Sequence, residues 1–157
     1  MKDIKSTIIL MADDDPDDRL LVKDALAECG APAGLTEAMR FVCDGEELMD
    51  YLLRRGTYAD PASSPRPDLI FLDLNMPRKD GREALRELRA NAELRRIPVV
   101  VFTTSKADTD ILLMYQLGAN SFVTKPVSYE ALVKTLRTIT TYWLETVELP
   151  TSSSRRS

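Results

Sequence analysis

The run ILMADDDPDDRLL, from Ile9 to Leu21, ends an apolar stretch with aspartates at positions 13, 14, 15, 17 and 18. Like charges that close together repel, so something positive must compensate. A sixth carboxylate, Asp73, interrupts the apolar segment FLDL, where burial without a partner would be costly. Thr103 closes the β-branched run VVVFT, and Lys125 with Pro126 follows SFVT. Clustered carboxylates with no histidine or cysteine among them are hard oxygen ligands of the kind Mg²⁺ prefers, with waters or a phosphoryl group completing its shell. A lysine and a hydroxyl beside such an ion could hold two phosphoryl oxygens. Asp73 would then be the nucleophile, a role that carboxylates do fill in phosphoryl transfer. The chain contains no histidine, so a histidine base, metal ligand or phosphoryl carrier must come from a partner.

These residues can meet only if the chain brings them together. Hydrophobic periodicity predicts a buried strand over 7–12, then a helix from Pro16 to Gly30 with Leu20, Leu21, Ala25 and Leu26 on one face. A weak strand over 37–42 and a helix over 46–55 follow. Three prolines between Thr57 and Pro67 predict a surface loop. Further on come a strand over 68–74, a helix over 81–90, a central strand over 97–105, a helix over 109–117 ended by Gly118, a short strand over 121–124 and a last helix from Tyr129 to about Trp143. Strands alternating with helices imply a doubly wound α/β fold, a parallel sheet with right-handed crossovers and helices on both faces. Ligands of such sheets sit beyond the carboxyl ends of the strands. Asp13, Asp14, Asp73, Thr103 and Lys125 all fall at such ends, and are expected to converge. Asp15, Asp17 and Asp18 are assigned instead to the start of the first helix, where acids cap backbone N–H groups and favour the helix dipole.

The totals limit the alternatives. With 157 residues, 44% hydrophobic and 29% charged, one ordinary domain with a real core is expected. No apolar run approaches the roughly 20 residues needed to span a bilayer, and nothing marks the start for export, so a cytoplasmic, membrane-free protein is expected. A net charge of −4 argues against nucleic acid as the main partner. Cys29 and Cys43 are read as reduced and structural. The terminal SSSRRS is read as part of a disordered tail over 150–157, leaving a domain over 6–149 and no output domain.

The segment DLIFLDLNMPRKDG resembles the phosphoacceptor segment of bacterial response-regulator receiver domains, and the acidic pair, the threonine and the Lys-Pro fall in that family's order. The resemblance implies a flavodoxin-like five-stranded sheet of order 2-1-3-4-5. It implies that Asp73 is phosphorylated, that Asp13, Asp14 and Asp73 hold Mg²⁺ with the backbone carbonyl of Asn75, and that Lys125 binds the phosphoryl group. Thr103 would be the switch hydroxyl and Phe122 its coupled aromatic, Pro126 would follow a cis bond, and Gly81 would form the turn after the acceptor loop. More narrowly, DLNMPRKDGRE, the proline-rich insertion and YWLETVELP resemble regulators paired with phytochrome-type histidine kinases. That implies a sensor kinase as phosphoryl donor and a downstream protein as target. Trp143, Leu144, Val147 and Leu149 would need covering, either by a homodimer partner across the last helix and C-terminal extension or by the chain's own last helix. Ser105 stands where some relatives carry an acid or amide that orients hydrolytic water.

Two other functions are weighed. An aspartyl-phosphate hydrolase of the haloacid-dehalogenase kind needs an aspartate two residues after its nucleophile, and Asn75 cannot serve as acid and base. A receiver-like fold that is never phosphorylated is disfavoured by the presence of all five site residues.

Overall fold

The computed structural model describes residues 7–30 and 39–150; the expected C-terminal tail beyond Pro150 lies outside them, as do the first residues of the weak strand at 37–38. Among the described residues the strands are β1 (Ile9–Ala12), β2 (Met39–Val42), β3 (Leu69–Leu72), β4 (Val99–Thr103) and β5 (Ser121–Thr124). The helices are α1 (Pro16–Glu28), α2 (Gly45–Leu53), α3 (Gly81–Ala90), α4 (Asp108–Gln116) and α5 (Tyr129–Thr140). The strands form one parallel sheet of order β2-β1-β3-β4-β5, the flavodoxin-like order expected.

Alternation along the central strands builds two cores. Leu10, Ala12, Ile70, Leu72, Val99 and Val101 face α2, α3 and α4, while Ile9, Met11, Leu69, Phe71, Val100 and Phe102 face α1 and α5. A strand buried on both sides needs apolar residues at every position, which is why β3 and β4 read as continuous hydrophobic runs. Helix starts are set by local caps: Asp15 accepts from the Asp17 N–H, and Asp80 forms a capping box with Glu83.

Four expectations change. Helix α1 buries Val22, Ala25 and Leu26, with Cys29 just beyond, while Leu20 and Leu21 are exposed. The 22, 25, 26, 29 spacing is an equally good helical stripe, and the sheet selected it over the one expected. The segment from Thr57 to Pro67 is not a bare loop. It contains two short 3₁₀ turns, Tyr58 packs on Tyr51 with ring centroids 5.1 Å apart, and buried Ser64 donates to the Tyr58 carbonyl at 2.9 Å. The last helix stops at Thr140 and continues as a π-turn over Thr141–Thr146, closed by the Val147 N–H on the Tyr142 carbonyl. Thr140 binds the Leu136 carbonyl at 2.8 Å, a back-bond that bends helices. The wider turn swings Leu144 and Leu149 into the core shared with Ile9 and Phe71, so the extension is covered by its own chain. Finally, no peptide bond among the described residues is cis. The Lys125–Pro126 bond is trans, the isomer favoured by about 0.5–1 kcal/mol in X-Pro, and Lys125 reaches the site from it.

Candidate functional site at the carboxyl edge of the sheet

The backbone ladder runs one residue past three strands and fixes the polar groups. Asp13 N–H donates to the Val42 carbonyl at 3.0 Å, Asp73 N–H to the Ala12 carbonyl at 3.0 Å, and Lys125 N–H to the Thr103 carbonyl at 2.7 Å. Each side chain therefore leaves the sheet from a rigid edge, with β1 and β3 adjacent and in register. Behind Asp73 the loop turns back tightly. The Gly81 N–H donates to the Leu74 carbonyl at 2.9 Å, and a Cβ on Gly81 would lie 2.3 Å from the Asp73 carbonyl oxygen. Gly45 has the same relation to the Lys79 carbonyl, also at 2.3 Å, and Arg78, held at φ 66°, donates to buried Asp44 at 2.9 Å. The acceptor loop is thus pinned at both ends by glycines that let backbone approach backbone.

At the centre, the Lys125 ammonium donates to Asp13 Oδ2 at 2.6 Å, Asp18 Oδ2 at 2.8 Å and Asp73 Oδ2 at 3.1 Å. Asp13 is fully buried, and its other oxygen accepts from the Asp15 N–H at 2.9 Å. Burial pushes the Asp13 carboxyl above its usual range in spite of the Lys125 and Asp15 hydrogen bonds. For Lys125, burial alone would lower the pKa. Its hydrogen bonds to Asp13 and Asp18, with the charges of Asp13 and Asp73, reverse that and hold it above the ordinary lysine value. Carboxylate oxygens of Asp13, Asp14 and Asp73 lie within 4.8 Å of one another. Asp14 is the exposed member, so the group opens to solvent on one side. Three hard oxygens at that spacing could hold a divalent cation with part of its hydration shell.

The remaining expected residues sit around this centre. Thr103 is fully buried at the end of β4, and its Oγ1 accepts from the Ser105 N–H at 3.4 Å. Asn75 is exposed in the loop beyond Asp73. Phe122 is half-buried against the core on the α3–α4 side, and its N–H donates to the Tyr115 hydroxyl at 3.1 Å. Pro126 is half-buried beside Lys125.

Two features escaped the sequence reading. Asp18 was assigned to the helix start, yet it binds Lys125. The available signal was the excess of acids over the one cap that α1 requires. Asp110, on α4, accepts from Arg82 at 2.7 Å and from the Ser105 hydroxyl at 2.7 Å. That clasp joins the helix after the acceptor loop to the loop after Thr103, and no local sequence signal announces it. Arg82, then Ser105, hold the Asp110 carboxyl below its usual range.

A doubly wound sheet of this order, with three acids and a lysine gathered at its carboxyl edge, defines a receiver-type domain. The chain belongs to the response regulator receiver domain family, whose model matches residues 9–137, and it is therefore a signalling protein. Response regulator Rcp1 of Synechocystis sp. is 41% identical over 91% of this chain and 92% of its own length. The structure of the phosphorylated cyanobacterial phytochrome response regulator RcpA superposes with a TM-score of 0.83 at 39% identity, covering 92% of this chain and 99% of that one. The Mn²⁺-bound form of response regulator Rcp1 does so with a TM-score of 0.78 at 39% identity, with 92% and 99% coverage. Receiver domains bind a divalent metal at an acidic aspartate cluster, and Asp13, Asp14 and Asp73 form such a cluster here. Among the described residues no helix is long and apolar enough to cross a membrane.

Proposed function

We propose that Asp73 accepts a phosphoryl group from a phosphohistidine of a phytochrome-type sensor kinase in the cytoplasm, with Mg²⁺ held by Asp13, Asp14, Asp73 and the Asn75 backbone carbonyl. The carrying observation is that the Lys125 ammonium and the carboxylates of Asp13 and Asp73 meet at one point. The metal supplies neutralisation of phosphoryl charge. An Asp73 oxygen attacks phosphorus, the P–O bond forms and the donor's P–N bond breaks, with the electron pair leaving on the imidazole. Lys125 then pairs with one phosphoryl oxygen. Thr103, whose Oγ1 accepts from the Ser105 N–H, donates its hydroxyl proton to another oxygen. Phe122 follows Thr103, and the altered face carries the signal to a protein partner. The aspartyl phosphate is lost slowly by hydrolysis at the same site.

The proposal includes self-association through α5 and its extension. Burial of Leu144 and Leu149 removes the need for a partner to cover them, and support now rests on Tyr142, half exposed, stacked edge-on against Trp143 at 5.2 Å. Tyr142→Ala, which leaves the buried Leu144 and Leu149 in place, is expected to lower the mass measured by light scattering from dimer to monomer; an unchanged mass rejects this part. The phosphoacceptor is tested by intact mass after incubation with Mg²⁺ and acetyl phosphate. The protein is expected to gain one phosphoryl group and Asp73→Asn none. Turnover of phosphomonoesters in many-fold excess would contradict the reading.

A further inference from the structure

The Lys125 ammonium has three protons and three carboxylate partners, one for each. Two of those partners, Asp13 and Asp73, also belong to the group whose oxygens lie close enough to share a cation. Lysine and cation therefore draw on the same anions. Asp18 stands apart. It comes from the first turn of α1, its side chain is 31% exposed against 10% for Lys125, and it is not one of the three acids that could share an ion. Nor does α1 require it as a cap, because Asp15 already accepts from the Asp17 N–H at 2.8 Å.

We propose that Asp18 is a positioning residue that holds the Lys125 ammonium at the edge of the site and so frees Asp13 and Asp73 for the divalent cation. Without Asp18 the ammonium has only those two carboxylates to pair with, and it competes with the cation for both. With Asp18 present, it keeps one counter-ion that the cation does not use, and it stays within reach of Asp73. This inference rests on the cation-site reading above, but it concerns the partition of charge among four side chains, not the identity of the phosphoryl donor.

The test is calorimetric titration with Mg²⁺ alone, on the full chain, for the wild type, Asp18→Asn, Lys125→Met and the double variant. Asp18→Asn is expected to raise the Mg²⁺ Kd by roughly threefold to tenfold when Lys125 is present, and by less than about twofold in the Lys125→Met background, the non-additivity expected of residues in direct contact. Asp18→Glu, which keeps the charge, is expected to restore affinity to within about twofold of wild type, and this comparison stands even where Lys125→Met does not fold. An equal rise in both backgrounds would mean that Asp18 acts by plain attraction for the cation, and would overturn the proposal. So would an unchanged Kd for Asp18→Asn, or a failure of Asp18→Glu to recover. A wild-type protein that binds no Mg²⁺ would instead overturn the cation site itself.

Discussion

Each end of the sheet holds a cation, and the two are treated in opposite ways. At the amino edge Arg89 donates to the Gly118 carbonyl at 2.9 Å, to the Arg95 and Ile97 carbonyls at 3.0 Å each, and to Asn120 Oδ1 at 3.1 Å. Every acceptor is neutral, and Asn120 Oδ1 also takes the Val99 N–H at 2.8 Å. The knot ties α3 to the turns before β4 and β5 and needs nothing further. At the carboxyl edge Lys125 faces three carboxylates, with Asp14 close by. One positive charge among several negative ones leaves an excess that only another cation can balance. A half-buried charge satisfied by neutral dipoles is architecture; a charge outnumbered by its counter-ions at a buried edge points to a ligand.

Substitutions at the two ends should separate these roles. The largest effect is expected for Lys125→Met. Breaking a buried pair strands the Asp13 and Asp73 carboxylates, at a cost of about 3–5 kcal/mol. Mg²⁺ should recover part of it by binding the native state, so denaturant unfolding with and without Mg²⁺ checks both the loss and the rescue. Arg89→Met is expected to cost about 2–3 kcal/mol, from hydrogen bonds donated by a charged group. Mg²⁺ should not restore it, and phosphorylation by acetyl phosphate should proceed at the wild-type rate. Rescue of Arg89→Met by Mg²⁺ would erase the distinction between the two ends.

Gly81→Ala sharpens the comparison from the side of the acceptor loop. Its Cβ would meet the Asp73 carbonyl oxygen at 2.3 Å, so the Asp73 backbone must shift. A slowing of phosphorylation by about tenfold is expected, since small displacements of a reacting group carry large rate costs. The smallest effect belongs to Asp110→Asn, at well under 1 kcal/mol for a partly exposed ion pair. Arg82 and Ser105 depress the Asp110 pKa below 3.8, so its contribution is present above that pH and is lost as pH falls through the depressed folded value. Melting curves of the wild type and Asp110→Asn should therefore differ at neutral pH and converge in strong acid.

What could be read from the sequence was what repeats or interrupts. Asp73 breaks an apolar strand, and the strand ends of a parallel sheet gather by topology, so, while the strand order came from the receiver-domain resemblance, the α/β class and the trio Asp13, Asp14 and Asp73 were legible. Asp18 was not, because an acid in a first helical turn has a sufficient local explanation, and its partner lies 107 residues away in sequence. The stripe of α1 was misassigned because Leu20 and Leu21 are as apolar as the Val22 and Cys29 that are buried in their place, and residue type alone does not choose between the two stripes. Likewise the π-turn depends on tertiary fit, for which residue types carry no local signature, whereas the trans Lys125–Pro126 bond is the intrinsic preference of X-Pro and departs only from what the resemblance implied.

The central claim is that one carboxylate in this cluster takes phosphorus and the rest, with Lys125, make that possible. Phosphorylating the protein with phosphoramidate, trapping the acyl phosphate with borohydride and mapping the reduced residue by peptide mass spectrometry tests it most directly. The account predicts reduction at Asp73, dependent on Mg²⁺ and abolished by chelation. Reduction at Asp13 or Asp14, or labelling of Asp73 that persists in chelator, would contradict it.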